Sequence, residues 1–87
     1  MTERRQSPRR PIHQAATILF DHRHVRRCMI RDVSEGGAGL DLASVVDVPD
    51  TFDLIWDQNA RTCQVVWREG DRLGVRFDPF FLSIRSN

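Results

Sequence analysis

The sequence predicts an all-β protein, a small antiparallel barrel of six strands. Three observations lead to this fold class. The 87 residues suffice for one small domain. Apolar side chains alternate with polar ones along six short segments that turn residues separate. No segment keeps a helical period, except for one or two turns at Pro79–Arg85. Such strands either stack as two sheets or close into a barrel, and at this length closure protects their edges better.

The first two strands form a predicted hairpin. Ala16, Ile18 and Phe20 share one face of the first strand, residues 21–24 form the turn, and the second strand covers about residues 25–33.

The inward face of this second strand stays open at the level of sequence. Cys28 and Ile30 point one way, whereas Val25, Met29 and Val33 point the other way, beside arginines whose stems can cover apolar surface.

The remaining strands follow a glycine-rich break in the pattern, DVSEGGAGL. A short third strand contains Leu40 and Leu42, and a fourth runs from Phe52 to Trp56. The closing hairpin is the clearest, with the turn at residues 69–71. Its apolar residues are Cys63, Val65 and Trp67 on one strand and Leu73, Val75 and Phe77 on the other.

The aromatic residues divide into two groups. Strand periodicity assigns five of them to the core: Phe20, Phe52, Trp56, Trp67 and Phe77. Phe80 and Phe81 follow the last strand, where they either cap the barrel or form a small patch for a partner.

Charge divides the chain unevenly. Residues 1–31 hold eight arginines and two acids, whereas residues 32–87 hold five arginines and ten acids, and there is no lysine. We expect a basic N-terminal arm at 1–13, the barrel at 14–78 and a short tail at 79–87. Arginine suits the recognition of phosphate and guanine, because its planar guanidinium donates in pairs.

Composition disfavours several classes of protein. No apolar run approaches the roughly 20 residues of a membrane span, and the start does not resemble a signal peptide, so a cytoplasmic protein is expected. Cys28 and Cys63 lack metal-ligand spacing and are interpreted as buried free thiols, with His22 and His24 solvated, so neither a metal nor a cofactor is expected. No Ser-His-Asp arrangement can be argued, and we expect no enzyme activity.

Two short segments contain candidate binding residues that the predicted barrel does not need for its folding. In the arm, Arg5 and Arg9 can lie up to roughly 13 Å apart in an extended chain, with Pro8 stiffening the path. Their guanidinium groups fit phosphate oxygens and the O6 and N7 acceptors of guanine. The alternative is a solvated tail or a nonspecific nucleic-acid contact.

The second segment is Asp32-Val33-Ser34-Glu35-Gly36-Gly37, where a strand enters a turn. A carboxylate at Asp32 can accept the two donors of the guanine edge, and Ser34 adds a short donor or acceptor. Gly36 and Gly37 lack the Cβ atoms that would block a flat base. The alternative is a strand ended by an Asx or Ser turn.

Together the two segments resemble the PilZ family, whose signature is RxxxR followed by [D/N]xSxxG. Arg5 and Arg9 match the first motif, and Asp32, Ser34 and Gly37 match the second. The hairpin with VVW and GVRF is similar to the family's closing hairpin, so the resemblance covers about residues 3–78.

The resemblance implies a bacterial receptor for the second messenger cyclic di-GMP, bound on the outer surface of the barrel under the arm. It implies phosphate and guanine contacts from Arg5 and Arg9, and a base site lined by Asp32, Ser34 and Gly37. Arg4, just before the motif, would contact the ligand and is compatible with a stacked pair of messengers.

Because no output domain is visible, the resemblance also implies an adaptor whose ordered arm signals to a partner protein in motility, polysaccharide (biofilm) or virulence control. The long C-terminal helix common in the family is missing from the sequence, which puts docking through that helix in doubt. A PilZ-like interaction module that does not bind nucleotide is the alternative. DNA or RNA binding is less favoured, because the sequence offers few exposed aromatic residues for base stacking.

Overall fold

The protein forms a closed β-barrel. The computed structural model describes residues 10–43 and 47–79, and within those ranges the chain has six strands and no helix. The strands are β1 (Arg10–Phe20), β2 (His24–Val33), β3 (Gly37–Leu42), β4 (Thr51–Trp56), β5 (Asn59–Glu69) and β6 (Arg72–Phe77).

All neighbouring strands are antiparallel, in the order β1-β2-β3-β6-β5-β4, and β4 pairs with β1 to close the barrel. The predicted all-β class, the six antiparallel strands and the closed barrel are therefore confirmed.

The joint between β1 and β4 is short. Only Thr17, Ile18 and Leu19 of β1 pair with β4, so among the described strands the first half of β1 pairs with β2 alone. Such an edge tolerates Pro11, which has no N–H to donate. β1 begins at Arg10, within the stretch that the sequence assigns to the arm, because Arg10 and Pro11 pair with the end of β2. The division into arm, barrel and tail itself remains a prediction.

One apolar cluster fills the barrel. Ile18, Ile30, Leu40, Leu54 and Leu73 are completely buried. The inward face of β2 carries Cys28 and Ile30, whereas Val25 and Met29 face solvent at 51% and 37% exposure, which settles the question that the sequence left open. Phe52 and Phe77 are buried as predicted, and the half-buried Phe20 and Trp56 pack against the same cluster.

Cys28 and Cys63 are free and buried, as the sequence predicts. Burial in the apolar interior disfavours the thiolate and raises the pKa of each thiol to about 12. Both thiols are therefore protonated and unreactive at neutral pH.

The prediction for Trp67 is wrong. Strict alternation from Cys63 places it in the core, but its side chain is 44% exposed. The reason is a β-bulge. Val65 pairs with Val75 and Trp67 pairs with Gly74, so Val66 is an extra residue that turns Trp67 to the outer surface.

Several predictions fall outside the described residues. These are the ligand contacts of Arg4, Arg5 and Arg9, the role of Phe80 and Phe81, and most of the helical turn at 79–85. In the part of the chain that is described, no helix is long and apolar enough to cross a membrane.

Candidate functional site: a glycine platform on the outer wall

Three glycines, all of them buried, lie on two paired strands of the barrel wall. Gly37 and Gly39 lie on β3 and Gly74 lies on β6, and Gly39 and Gly74 are cross-strand partners. They face outward, because their neighbours along the strands all point into the core: Ala38, Leu40, Leu73 and Val75. We call Gly37, Gly39 and Gly74 the glycine platform.

Asp32 borders the platform on the β2 side. It pairs with Gly39, and its register follows a bulge between Ile30 and Asp32 that sets its side chain on the outer face. A Cβ atom at position 39 would lie 3.0 Å from Asp32 Oδ2 and 3.2 Å from Oδ1. Both carboxylate oxygens thus lie over the space that Gly39 leaves empty.

Trp67 borders the platform on the β5 side. It pairs with Gly74, and its indole covers that glycine so closely that a Cβ atom at position 74 would overlap the pyrrole edge of the ring. The remaining ring surface is exposed to solvent. An exposed, positioned indole is a surface on which a nucleobase can stack.

These residues form one row across the barrel wall. The pairings are Pro11 to Asp32, Asp32 to Gly39, Gly39 to Gly74 and Gly74 to Trp67, so the row crosses five of the six strands. Asp32 and Trp67 cover glycines on adjacent strands, which lie about 4.8 Å apart. A planar base over the platform is therefore within reach of both the carboxylate and the indole. Pro11 brings the start of β1 to the carboxylate end of the row.

The turn after β2 is held together by Ser34. Its N–H donates to the carbonyl of Gly37 at 2.8 Å, and its hydroxyl donates to the same oxygen at 3.4 Å. The Gly36 carbonyl in turn accepts the N–H of Phe77 at 2.8 Å. Ser34 thus lies just past the end of β2 and fixes the turn beside Asp32.

Gly36 and Gly37 differ in whether the structure has room for a Cβ atom at their positions. A Cβ atom at Gly37 would overlap the carbonyl oxygen of Val75, so this glycine lets β3 approach β6. A Cβ atom at Gly36 would have no other atom within 4 Å. The close approach at Gly37 is therefore to the protein's own backbone, which is a reason for glycine that the sequence alone does not reveal.

The arginines near the platform differ in whether a carboxylate neutralises them. Arg31 Nε lies 3.2 Å and Arg72 Nε lies 3.5 Å from the carboxylate of Asp41, so these two cations share one acid. Arg76, the cross-strand partner of Gly37, instead donates from Nη2 to the neutral side-chain oxygen of Gln64 at 2.6 Å. Arg76 is therefore oriented without being neutralised by this contact.

The structure brings together four of the seven residues that the sequence singles out: Asp32, Ser34, Gly36 and Gly37. Sequence reasoning missed Gly39, Gly74, Gln64 and Arg76 as part of the same surface and assigned Trp67 to the core. The run of three glycines in four positions was a usable signal for Gly39. Gly74 and Trp67 had no such signal, because their role depends on pairing between distant strands and on a bulge.

No metal centre is formed by the described residues, in which His, Cys, Asp and Glu side chains nowhere gather in groups of three or more. The chemistry on this surface is that of hydrogen bonding, stacking and positive charge.

A family model for the PilZ domain matches residues 3–82. The match covers nearly the whole chain, so the chain belongs to the PilZ domain family, a family of receptor and adaptor modules that bind cyclic di-GMP. No curated protein matches the chain.

Proposed function

We propose that this protein is a receptor for cyclic di-GMP that binds the messenger over the glycine platform and passes the signal to a partner protein. The observation that carries the proposal is the row from Asp32 across Gly39 and Gly74 to Trp67. It combines a carboxylate and a partly exposed indole, each of which lies over a glycine of the paired strands β3 and β6. The proposal assigns no enzyme activity and no cofactor to the chain, and it places the protein in the cytoplasm.

Guanine recognition rests on Asp32. The N1–H and the exocyclic amine of guanine donate side by side, and the two oxygens of a carboxylate accept them as a pair. The carboxylate already lies over Gly39, and the indole of Trp67 lies over the neighbouring Gly74. Trp67, on the opposite side of the platform from Asp32, supplies a surface on which the same base can stack. Ser34 and Gly36, in the turn after β2, border the base site.

Phosphate recognition rests on the arm. Arg9 immediately precedes β1, whose first residues pair with the end of β2 next to Asp32. An extended residue spans about 3.3 Å, so Arg5 and Arg9 are within reach of a ligand on the platform. Their forks suit phosphate oxygens and the O6 and N7 edge of guanine, and Arg4 is proposed to contact a second, stacked messenger.

Isothermal titration of cyclic di-GMP tests the proposal. The wild-type protein is expected to bind saturably, with GMP as a control ligand that binds far more weakly. Arg5→Ala and Asp32→Ala should each weaken binding by at least tenfold, because a hydrogen bond to a charged group contributes about 1.5–3 kcal/mol. The fitted stoichiometry distinguishes one messenger per chain from a stacked pair.

The controls separate the site from the scaffold. Arg23→Ala removes the same charge at the β1–β2 turn, at the opposite end of β2 from Asp32, and should leave the affinity unchanged. A wild-type protein that gives neither heat nor chemical-shift change would refute the receptor proposal. The chain would then be a PilZ module that binds protein partners without nucleotide.

Signal output is proposed to pass through the arm. Ligand contacts from Arg5 and Arg9 fix the arm against the barrel, which creates a surface for a partner only in the bound state. Amide hydrogen exchange should slow in residues 4–9 when messenger is added. Exchange rates in this segment that do not respond to a saturating ligand would contradict output through the arm.

A further inference from the structure

Arg76 stands apart from the other arginines that border the platform. Arg31 and Arg72 both contact the carboxylate of Asp41, so much of their charge is already compensated. Arg76 is exposed, and within residues 10–43 and 47–79 its one side-chain contact is with the uncharged Gln64. Its positive charge is thus available to a ligand.

The position of Arg76 is fixed by strand pairing. Gly37, Arg76 and Gln64 are consecutive partners across β3, β6 and β5, and their row lies directly beside the row of Asp32 and Trp67. Arg76 is two residues from Gly74 on the same strand, so both face outward. The guanidinium therefore stands at the edge of the platform on the β5 side, where Nη2 contacts Gln64.

Gln64 gives this arginine a defined orientation. The contact from Arg76 Nη2 to Gln64 Oε1 is 2.6 Å. One donor of the planar fork is used in this bond, and four other N–H donors remain. An amide can hold a guanidinium in place without cancelling its charge. A carboxylate at the same position would neutralise it.

We infer that Arg76, oriented by Gln64, binds a phosphate group of the ligand and is a specificity-determining residue of the site. The inference rests on the proposed function, and it adds a contact from the barrel wall to those of the arm. A fixed arginine on the wall favours a ligand with a phosphodiester at this edge over an uncharged nucleoside.

Four variants of the full chain test this inference by titration with cyclic di-GMP. Arg76→Ala should weaken binding by roughly ten- to a hundredfold, the effect of losing a hydrogen bond to a charged group. Arg76→Lys keeps the charge and should recover part of the loss. Gln64→Glu keeps an acceptor for Arg76 but neutralises it, so it should weaken binding nearly as much as Arg76→Ala. Gln64→Ala should have a smaller effect, since the charge remains.

Arg23→Ala is again the charge-matched control, and thermal unfolding of each variant checks that the barrel is intact. The Gln64→Glu variant is decisive, because a purely structural role of Arg76 would be preserved or strengthened by an ion pair. If the wild type binds and both Arg76→Ala and Gln64→Glu bind as tightly, this inference is wrong while the receptor proposal stands. If the wild type does not bind, both are wrong.

Discussion

The glycine platform and the face formed by β1, β2 and β4 lie on opposite sides of one barrel. The two faces carry different kinds of residue at their outward positions. Over β3 and β6 the outward positions are glycines, bordered by Asp32, Trp67 and Arg76. Over β1, β2 and β4 the outward positions carry Thr17, Val25, Met29 and Ile55. The same alternation thus produces one surface on which neighbouring side chains lie over glycines and one ordinary strand surface.

Concavity alone does not identify the functional side. A depression of about 730 Å³ lies on the β1–β2–β4 side, lined by apolar and mixed residues that include Val25, Met29 and Trp56. Among the described residues, none of the four predicted site residues, Asp32, Ser34, Gly36 and Gly37, lines it. A ligand as polar as a dinucleotide needs paired hydrogen bonds and positive charge more than enclosed apolar volume. We therefore propose the site on the platform, which Asp32, Trp67 and Arg76 border.

The largest effect on stability is expected from Gly37→Ala. A Cβ atom there meets the Val75 backbone, which cannot rotate away, so β3 and β6 must separate. We expect a loss of about 3 kcal/mol in the free energy of unfolding, measured with urea. Gly36→Ala is the matched control, because its Cβ atom meets nothing within 4 Å, and it should stay within about 0.5 kcal/mol of wild type. Equal stability of the two variants would contradict the close approach of these strands.

The stability at alkaline pH tests the burial of the two thiols in the core that lies behind both faces. Burial raises the pKa of Cys28 and Cys63 to about 12, from 9.0 for an ordinary thiol. Between these values the unfolded chain loses protons that the folded chain retains, so stability falls as pH rises from about 9 towards 12. Relative to neutral pH, the two thiols together should lower the free energy of unfolding at pH 10 by about 3 kcal/mol.

The measurement is urea unfolding at pH 8, 9 and 10. Cys28→Ala is less stable at every pH because it removes a packed sulfur, but its decline between pH 8 and 10 should be shallower. A decline as steep as that of wild type would assign the alkaline effect to other groups.

The fold was more predictable than the site, for physical reasons. Alternation over Ile18, Leu54 and Leu73 depends only on neighbouring residues, and it gave six strands at nearly the right places. The platform depends on which strands pair. Gly74 stands opposite Gly39 because β3 joins β6 across 34 residues of sequence, and no local pattern encodes that pairing. Trp67 was misplaced because one inserted residue, Val66, reverses the alternation after it.

Gly74→Ala is expected to act through Trp67 rather than through the backbone. The new methyl group would overlap the indole, and a side chain can move aside more easily than a strand. We expect a loss of about 1 kcal/mol in the free energy of unfolding and a changed near-ultraviolet circular dichroism of tryptophan. In a Trp67→Ala background the same substitution should cost much less, because the clash is gone. Additive losses would show that Gly74 is required for another reason.

The smallest effect is expected on the β1–β2–β4 face. Val25 is 51% exposed, close to the 44% of Trp67, so the two side chains are matched in exposure but stand on different sides of the barrel. Val25→Thr keeps a β-branched residue in the strand and should change the free energy of unfolding by less than about 0.5 kcal/mol. It should also leave the affinity for cyclic di-GMP unchanged, whereas Trp67→Ala should lower that affinity by about tenfold or more through lost stacking. Titration of both variants distinguishes the two faces. If Val25→Thr weakened binding as much as Trp67→Ala, the ligand would occupy the other face, and the three glycines would serve strand packing alone.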